Sequence, residues 1–520
     1  MSDITAEQIY ERVTEYPSAM PKDAATFTKM APQLAFTSTQ EIAAFVQTGA
    51  ETLGADGDKY RAMFADVQRT GGAGIQTLLR DLFTALGGNI DSAFLKQHFR
   101  NLYGLVYGST IDKFATGVND PAAIAASKGT VVFVARVCYH VIQREAMFLR
   151  AQGYRTGLIC LAPLVASTRT LFERSFDHIL DDCPTYIILE AVLARISPDV
   201  LHIQCTTWEY LMARFVLERN QVAKIVCEFY DVTGIYGSRK ALHTNWWPSL
   251  VDLDLDCERR IFQRADGIVH RFDLDLFAEY GARYGVLPPN IEMQQFPIQE
   301  FTRYAEPMSN TDGLIRCVYL GSLIPHNDAH PRSLYPLWGM PEAWCALLEQ
   351  GIVVTVFNSP YRSMDENGLD IFKAMLDRYP NFSIETGIPS DRLGDAIAAF
   401  DFGLVLAEID VAELITTPYL MKGAVGTKLF NYFEAGLPVL VSREFEALAH
   451  IVEENGLGLA LNSCEISTLS KKIATSDRDE MRANVRRFNE AHGMEDEIHR
   501  LIDLYDRIGA FDRHMSGERG

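Results

Sequence analysis

Gly426-Thr-Lys-Leu-Phe-Asn-Tyr-Phe-Glu-Ala-Gly-Leu-Pro-Val-Leu-Val-Ser442 is the stretch from which the organisation of this chain is read. A loop glycine leads into Thr427, a residue type that caps helices. Two helical turns follow, then a terminating glycine, Gly436, and a short buried strand, PVLVS (438–442). The first turn of such a helix leaves N–H groups without intrahelical partners. Lys428 sets a positive charge beside them, and the two together are the chemistry of a phosphate site. One turn further, Asn431 falls on the face of Thr427 and Lys428, in reach of a ribose hydroxyl.

The alternation of strand and helix extends outward from this segment. Before it stand LIRCVYLGSL (314–323), a helix over 341–350, IVVTVFN (352–358), FSIETGI (382–388), a helix over 390–400 and DFGLVLAEI (401–409); LGLAL (457–461) follows it. A second series lies upstream. It runs TVVFVAR (130–136), a helix over 141–152, a strand over 157–161, a helix over 185–196, DVLHIQC (199–205), a helix over 209–219, AKIVCEFYD (223–231), a helix over 252–264 and ADGIVHR (265–271). Short apolar strands alternating with amphipathic helices imply parallel sheets built from βαβ units, and two series imply two doubly wound domains. The passage from Pro288 to Asn310, with Pro288, Pro289, Pro297 and Pro307, reads as the linker. Residues 1–125 read as a helical accessory region, with Met63, Phe64, Val67, Leu78, Leu79, Leu82 and Phe83 near helical spacing. The last helix, 495–508, carries one apolar face of Ile498, Leu501, Ile502, Leu504 and Tyr505.

Composition narrows the function classes. A chain of 520 residues with 48% apolar content fills two cores, and its net charge of −20 excludes a nucleic-acid partner, which needs a concentrated positive surface. The nine cysteines are scattered singly, without the paired spacing of zinc or redox sites, and read as reduced thiols of a cytoplasmic protein. The acidic N-terminus has no signal-peptide core, and no run of 18 uncharged apolar residues occurs. Peripheral membrane contact and a homodimer stay open.

The 426–442 segment resembles the donor-site motif of retaining glycosyltransferases similar to family 4 (group 1), written P/S-x-K-L-F-E-Y-x-A-x-G-x-P-V. The match covers Lys428, Leu429, Phe430, Tyr432, Gly436, Pro438 and Val439. The resemblance is clear over about 310–465, weaker over 129–300, and absent before 125. It implies an α/β fold of the GT-B type: two facing Rossmann-like domains, acceptor-side over 126–297 and nucleotide-sugar-binding over 298–490. It also implies a C-terminal helix, 491–520, that crosses back to the first domain. The implied reaction moves a sugar, with retention, from a nucleotide-sugar donor to a glycan, lipid-linked or protein acceptor, without a metal or other cofactor. By the same resemblance Gly426, Thr427 and Lys428 hold phosphate, Gly387 and Ile388 of the turn Thr386-Gly-Ile-Pro389 meet the base, and Asn431 meets ribose where the family carries Glu. Gly321 and Ser322, after the first strand of the second series, approach the diphosphate. Arg332, with His326 and His330, supplies the nearby cations where the family has an Arg and a Lys. In the first domain ERRIFQRADGIV (258–269) resembles the family's helix and strand. In EFYDVTG (228–234), Tyr230 replaces the family's His and Asp231 is the candidate catalytic contact to sugar or acceptor. Gly423 stands where many relatives carry an acid, and Ala135-Arg-Val-Cys-Tyr-His140 replaces a Gly-Gly loop.

Two further features have bland readings. The indoles of His243-Thr-Asn-Trp-Trp247 read as packing under a loop, and Asp252-Leu-Asp-Leu-Asp256 as a solvated helix start without the glycine and terminal Glu of a calcium loop. Two other functions fit the same pattern: a sugar-nucleotide epimerase, and a non-catalytic sugar-nucleotide-binding module.

Overall fold

Among the described residues, thirteen strands form two sheets. The computed structural model describes residues 5–15, 39–69 and 107–512, apart from 184, 208, 221, 286, 328–330 and 360–363, together with Leu78, Leu82 and Ala85. The first sheet contains β1 (Thr130–Ala135), β2 (Arg155–Cys160), β3 (His178–Leu180), β4 (Val200–Cys205), β5 (Lys224–Phe229), β6 (Gly267–His270) and β7 (Asn290–Glu292), in spatial order 3-2-1-4-5-6-7. The second contains β8 (Arg316–Leu320), β9 (Val353–Asn358), β10 (Phe382–Thr386), β11 (Phe402–Val405), β12 (Val439–Ser442) and β13 (Gly458–Leu461), in order 10-9-8-11-12-13. Every pairing within the sheets is parallel. The central strands are buried along their whole length, as in Thr130–Ala135 and Val200–Cys205, because helices cover both faces. The strand order reverses between β1 and β4 and again between β8 and β11, and in open α/β sheets ligands bind at such switch points.

The helices that matter for the site are α1 (Ala6–Glu15), α2 (His140–Ala151), α3 (Tyr210–Arg219), α4 (Pro248–Arg264), α5 (Lys428–Glu434) and α6 (Met494–Arg507). In the accessory region α1 lies against α4, and Arg214 of α3 stacks 3.6 Å over the ring of Tyr10 while pairing with Glu7 at 2.8 Å. Val67, Leu78 and Leu82 are buried in the same apolar cluster, with Met63 and Phe64 packed against it. Leu79 and Phe83 lie outside the described residues. Helix α6 packs on α2, β6 and β7 of the first sheet, and Met494 N donates to Pro297 O (2.8 Å). Its stripe of Ile498, Leu501, Leu504 and Tyr505 is almost wholly buried. One apolar cluster is continuous from Val131 and Phe133 of β1, through this stripe, to Leu429 and Phe433 of α5.

Three expectations need correction. The Pro-rich passage 288–310 is not all linker, because Asn290–Glu292 adds an edge strand to β6; three residues are too few to show a period. Helix α4 begins at Pro248, so Asp252–Asp256 lie within it and are not a solvated start. Asp254 is buried and accepts from Thr233, and Asp252 pairs with Arg239 (2.7 Å) and His243 (2.6 Å). Thr427 has helical backbone angles and makes no side-chain cap, so the first turn of α5 is not closed by its hydroxyl.

Candidate functional site

Helix α5 is seated by two buried anchors. The ring of Tyr432 lies on Gly403 of β11, where a Cβ would come within 2.2 Å of it. Its hydroxyl donates to Leu404 O (2.9 Å) and accepts from Leu320 N (3.0 Å), bridging β11 and β8 at the second switch point. Glu434 pairs with Arg144 of α2 through both carboxylate oxygens, one contact at 2.8 Å, with side-chain exposures of 0% and 1%. Glu434 also accepts from Ile298 N (2.8 Å), and Arg144 donates to Phe296 O (3.2 Å). The first domain, the connecting segment and α5 therefore meet at one ion pair.

Lys428 opens α5 and runs back over Gly321. The glycine has φ +119°, a region closed to ordinary side chains, and a Cβ there would stand 2.7 Å from Lys428 Cε. Two chambers meet at Thr427 and Lys428. The smaller, about 220 Å³, is walled by Gly321, Gly387, Ile388 and Asn431 from the second domain and by Tyr139 and His140 from the first. The larger, about 280 Å³, is mostly apolar, with Asp231, Arg271 and Gly426 among its walls. The structure thus brings Gly321, Gly387, Ile388, Thr427, Lys428 and Asn431 to one chamber, and Asp231, Gly426, Thr427 and Lys428 to the other. It leaves two candidates apart. Ser322 lines neither chamber and accepts from the Tyr319 hydroxyl through its carbonyl (3.1 Å). Arg332 pairs with Glu413 (3.3 Å) beneath Trp338 and lines a separate recess. His326 stacks on Trp338 at 3.7 Å, and His330 lies outside the described residues.

Asp231 faces the larger chamber with one carboxylate oxygen committed, accepting from the Tyr236 hydroxyl (2.8 Å). Burial raises its pKa, while Tyr236, Arg271 and Lys428 pull the other way. At the smaller chamber, His140 Nε2 lies 2.6 Å from Gln295 Oε1, and Gln295 Nε2 donates to Asn431 Oδ1 (2.5 Å). Burial, with Arg144 adding to it, holds the His140 pKa down to about 3. The imidazole is therefore neutral and donates to Gln295, which fixes the Asn431 amide with its oxygen committed. Its Nδ2 hydrogens remain as donors.

Sequence reasoning passed over Tyr139, His140, Arg271 and Gln295. Tyr139 and His140 stand at the first switch point, where the absent Gly-Gly loop drew attention away. Arg271 directly follows β6, and its sole sequence signal is its place at that strand's carboxyl end. The paired indoles contribute to packing: Trp247 lies against the first-domain core and Trp246 against Leu242. Among the described residues no helix is long and apolar enough to cross a membrane.

Residues 360–494 match the family described as the glucosyltransferase 3-like C-terminal domain. No curated protein matches the chain. Among solved structures, the Anabaena protein HepE in complex with UDP and glucose aligns with a TM-score of 0.51 at 12% identity, over 73% of this chain and 100% of its own. The fold is GT-B. A mutant O-GlcNAc transferase of Thermobaculum terrenum aligns at 0.47 and 12% identity over 92% of this chain and 100% of its own. The catalytic domain of Arabidopsis thaliana starch synthase IV, bound to ADP and acarbose, gives 0.45 and 9% over 74% and 100%.

Proposed function

We propose that this GT-B chain is a glycosyltransferase that moves a sugar, with retention and without a metal, from a nucleotide-diphosphate sugar to an acceptor hydroxyl. The observation that carries the reading is the position of Lys428, lying over Gly321 where the two chambers join. The nucleoside occupies the smaller chamber, its base against Gly387 and Ile388. The diphosphate lies at the junction, held by the Lys428 ammonium and the 426–428 main chain, and the transferred sugar and the acceptor occupy the larger chamber. Bond breaking leaves negative charge on the diphosphate, and a cation fixed at that point stabilises the transition state more than the ground state. Asn431, its oxygen already taken by Gln295, donates to a ribose hydroxyl, where a Glu would accept from one. Asp231 sits across from Lys428 on the sugar side. Its unoccupied carboxylate oxygen meets a hydroxyl of the sugar or the acceptor.

The neighbour bound to UDP and glucose, with the glucosyltransferase 3-like match, makes UDP-glucose the first donor to test. Lys428→Ala removes a charge-assisted contact worth about 1.5–3 kcal/mol, so titration calorimetry should show affinity for the donor, or for UDP, falling by about tenfold or more. The circular dichroism spectrum stays unchanged. A donor that binds the variant as tightly as the parent overturns the assignment. Turnover that stops in chelator and returns with manganese overturns the metal-independent mechanism.

A further inference from the structure

Away from both chambers, three titratable side chains meet inside the first domain: Glu145 of α2, His202 of β4 and Glu228 of β5, each with side-chain exposure of 0–1%. His202 Nε2 lies 3.3 Å from Glu228 Oε2 and 3.9 Å from Glu145 Oε2, and the three ligand-type atoms fall within 4.8 Å of one another. Both oxygens of Glu145, Oε2 of Glu228 and Nε2 of His202 lack a well-formed hydrogen bond. Buried polar atoms are nearly always partnered, so four orphans at one point call for a shared cause.

Charge separates the two causes available, a metal ion and a proton. Glu228 is paired with Arg271 through its other oxygen. The hydroxyl of Tyr505, from α6, holds His202 Nδ1 at 2.7 Å. Arg144, the neighbour of Glu145 on α2, is committed to Glu434. Farther out stand Tyr230, beneath Arg271, and His140, which is neutral. From α2, β4, β5, the end of β6 and α6 together, one guanidinium faces two carboxyl groups. Counting the guanidinium and the two carboxylates, a divalent ion leaves this sealed cluster with a net positive charge, whereas a single proton leaves it neutral, and uncompensated buried charge is costly. The proton belongs on Glu145, whose two buried oxygens are unpartnered while Glu228 has Arg271; burial, with Glu228 beside it, raises its pKa well above the usual carboxylate range. Burial works upward on Glu228 too, but the Arg271 guanidinium beside it holds that group below its ordinary value.

We propose that Glu145 keeps its proton in the folded chain and shares it with Glu228, and that this carboxyl–carboxylate pair is the positioning element for Arg271 and, through it, for the loop leading into Gly426. Arg271 is the link on geometric grounds. Its guanidinium lies 4.4 Å over the Tyr230 ring at the wall of the larger chamber. Its carbonyl accepts from Val425 N (3.3 Å), Phe272 bridges to Ala424, and Asp273 N donates to Gly423 O (3.0 Å). The main chain just ahead of Gly426 is thereby clamped to the end of β6. None of this depends on the reaction proposed above.

The proton also couples the cluster to pH. A carboxyl that stays protonated when folded but ionises when unfolded makes folding take up a proton, so its contribution to stability is complete below the ordinary carboxylate pKa and is lost as pH rises. Glu145→Gln reproduces the protonated form. In urea unfolding from pH 5 to 9 this variant should match or exceed the parent midpoint at every pH and show a shallower decline on the alkaline side. Glu145→Ala, which empties the position, should fall below both. The infrared band of a protonated carboxylic acid should be present in the parent at neutral pH and absent in Glu145→Gln. Glu228→Gln strands Arg271, so the Val425 amide should exchange faster with solvent there, while Glu145→Gln leaves that rate unchanged. Elemental analysis of the parent, purified without chelator, should find no stoichiometric divalent metal. A Glu145→Gln variant as unstable as Glu145→Ala, or one equivalent of metal that is lost from Glu145→Gln, overturns the proposal even if Glu228→Gln fails to fold.

Discussion

In the second domain Gly321, Gly387 and Gly426 bring main chain to the cleft, and Lys428 is laid directly on one of these glycines. In the first domain the groups behind the cleft are charged or titratable side chains: His140, Glu145, His202, Glu228 and Arg271, each buried or nearly so. Main chain at a glycine turn reaches the cleft without steric cost, whereas each buried charge needs a partner before the interior tolerates it. The second domain therefore builds a surface that receives a ligand. The first builds an interior that supports that surface, and the two are joined through Arg144 and Glu434.

Cutting that joint has the largest expected effect. Glu434→Leu leaves the Arg144 guanidinium buried without a counter-charge, which costs about 3–5 kcal/mol when a buried pair loses one member. Chemical denaturation reads the loss directly. Adding Arg144→Met should recover most of it, because two apolar side chains fill the site without a stranded charge. A single variant as stable as the parent would mean that the domains are held together elsewhere and that their junction does not lie at this ion pair.

The part of this organisation that was legible in the sequence is the part that is contiguous. Lys428, Asn431, Tyr432 and Gly436 lie within nine residues, and the periods of the strands around them need no tertiary information. The end of α6 that meets the first sheet is similarly written as a stripe of Ile498, Leu501 and Tyr505. Arg271 and Gln295 have no local pattern. They acquire a role because β6 and the segment after β7 bring them beside α5, a long-range outcome that no window of residues carries. Arg332 misled for the matching reason: its distance along the chain suited a phosphate clamp, but the chain turns it toward Glu413. The three-residue strands β3 and β7 are too short to show a period of two.

A substitution inside the receiving surface tests the other side of the comparison. Gly321→Ala forces a side chain into φ +119° and against Lys428. Strain of this kind costs about 1–3 kcal/mol, and displacement of the ammonium should weaken UDP binding by about tenfold. Calorimetry and thermal unfolding together separate the two losses. Unchanged affinity in a destabilised variant would show that the glycine serves the turn alone and that the close approach of Lys428 has no bearing on the ligand.

The smallest effect is expected far from the ligand, at Tyr505. Its hydroxyl meets His202 Nδ1 at 2.7 Å, and its ring, fully buried, stands edge-on to the imidazole with centroids 6.1 Å apart. Tyr505→Phe keeps the ring and its apolar contacts and removes only the hydrogen bond, so the loss should be about 1 kcal/mol in equilibrium unfolding. The imidazole can still turn Nε2 toward Glu228, and the pairing of Glu228 with Arg271 does not pass through Tyr505. The clamp on the loop before Gly426 is therefore untouched, and affinity for UDP should change by less than about twofold, a difference of a few tenths of a kcal/mol. A larger fall in affinity would mean that α6 reaches the ligand through the first-domain interior, and the receiving surface and its support would have to be treated as a single unit.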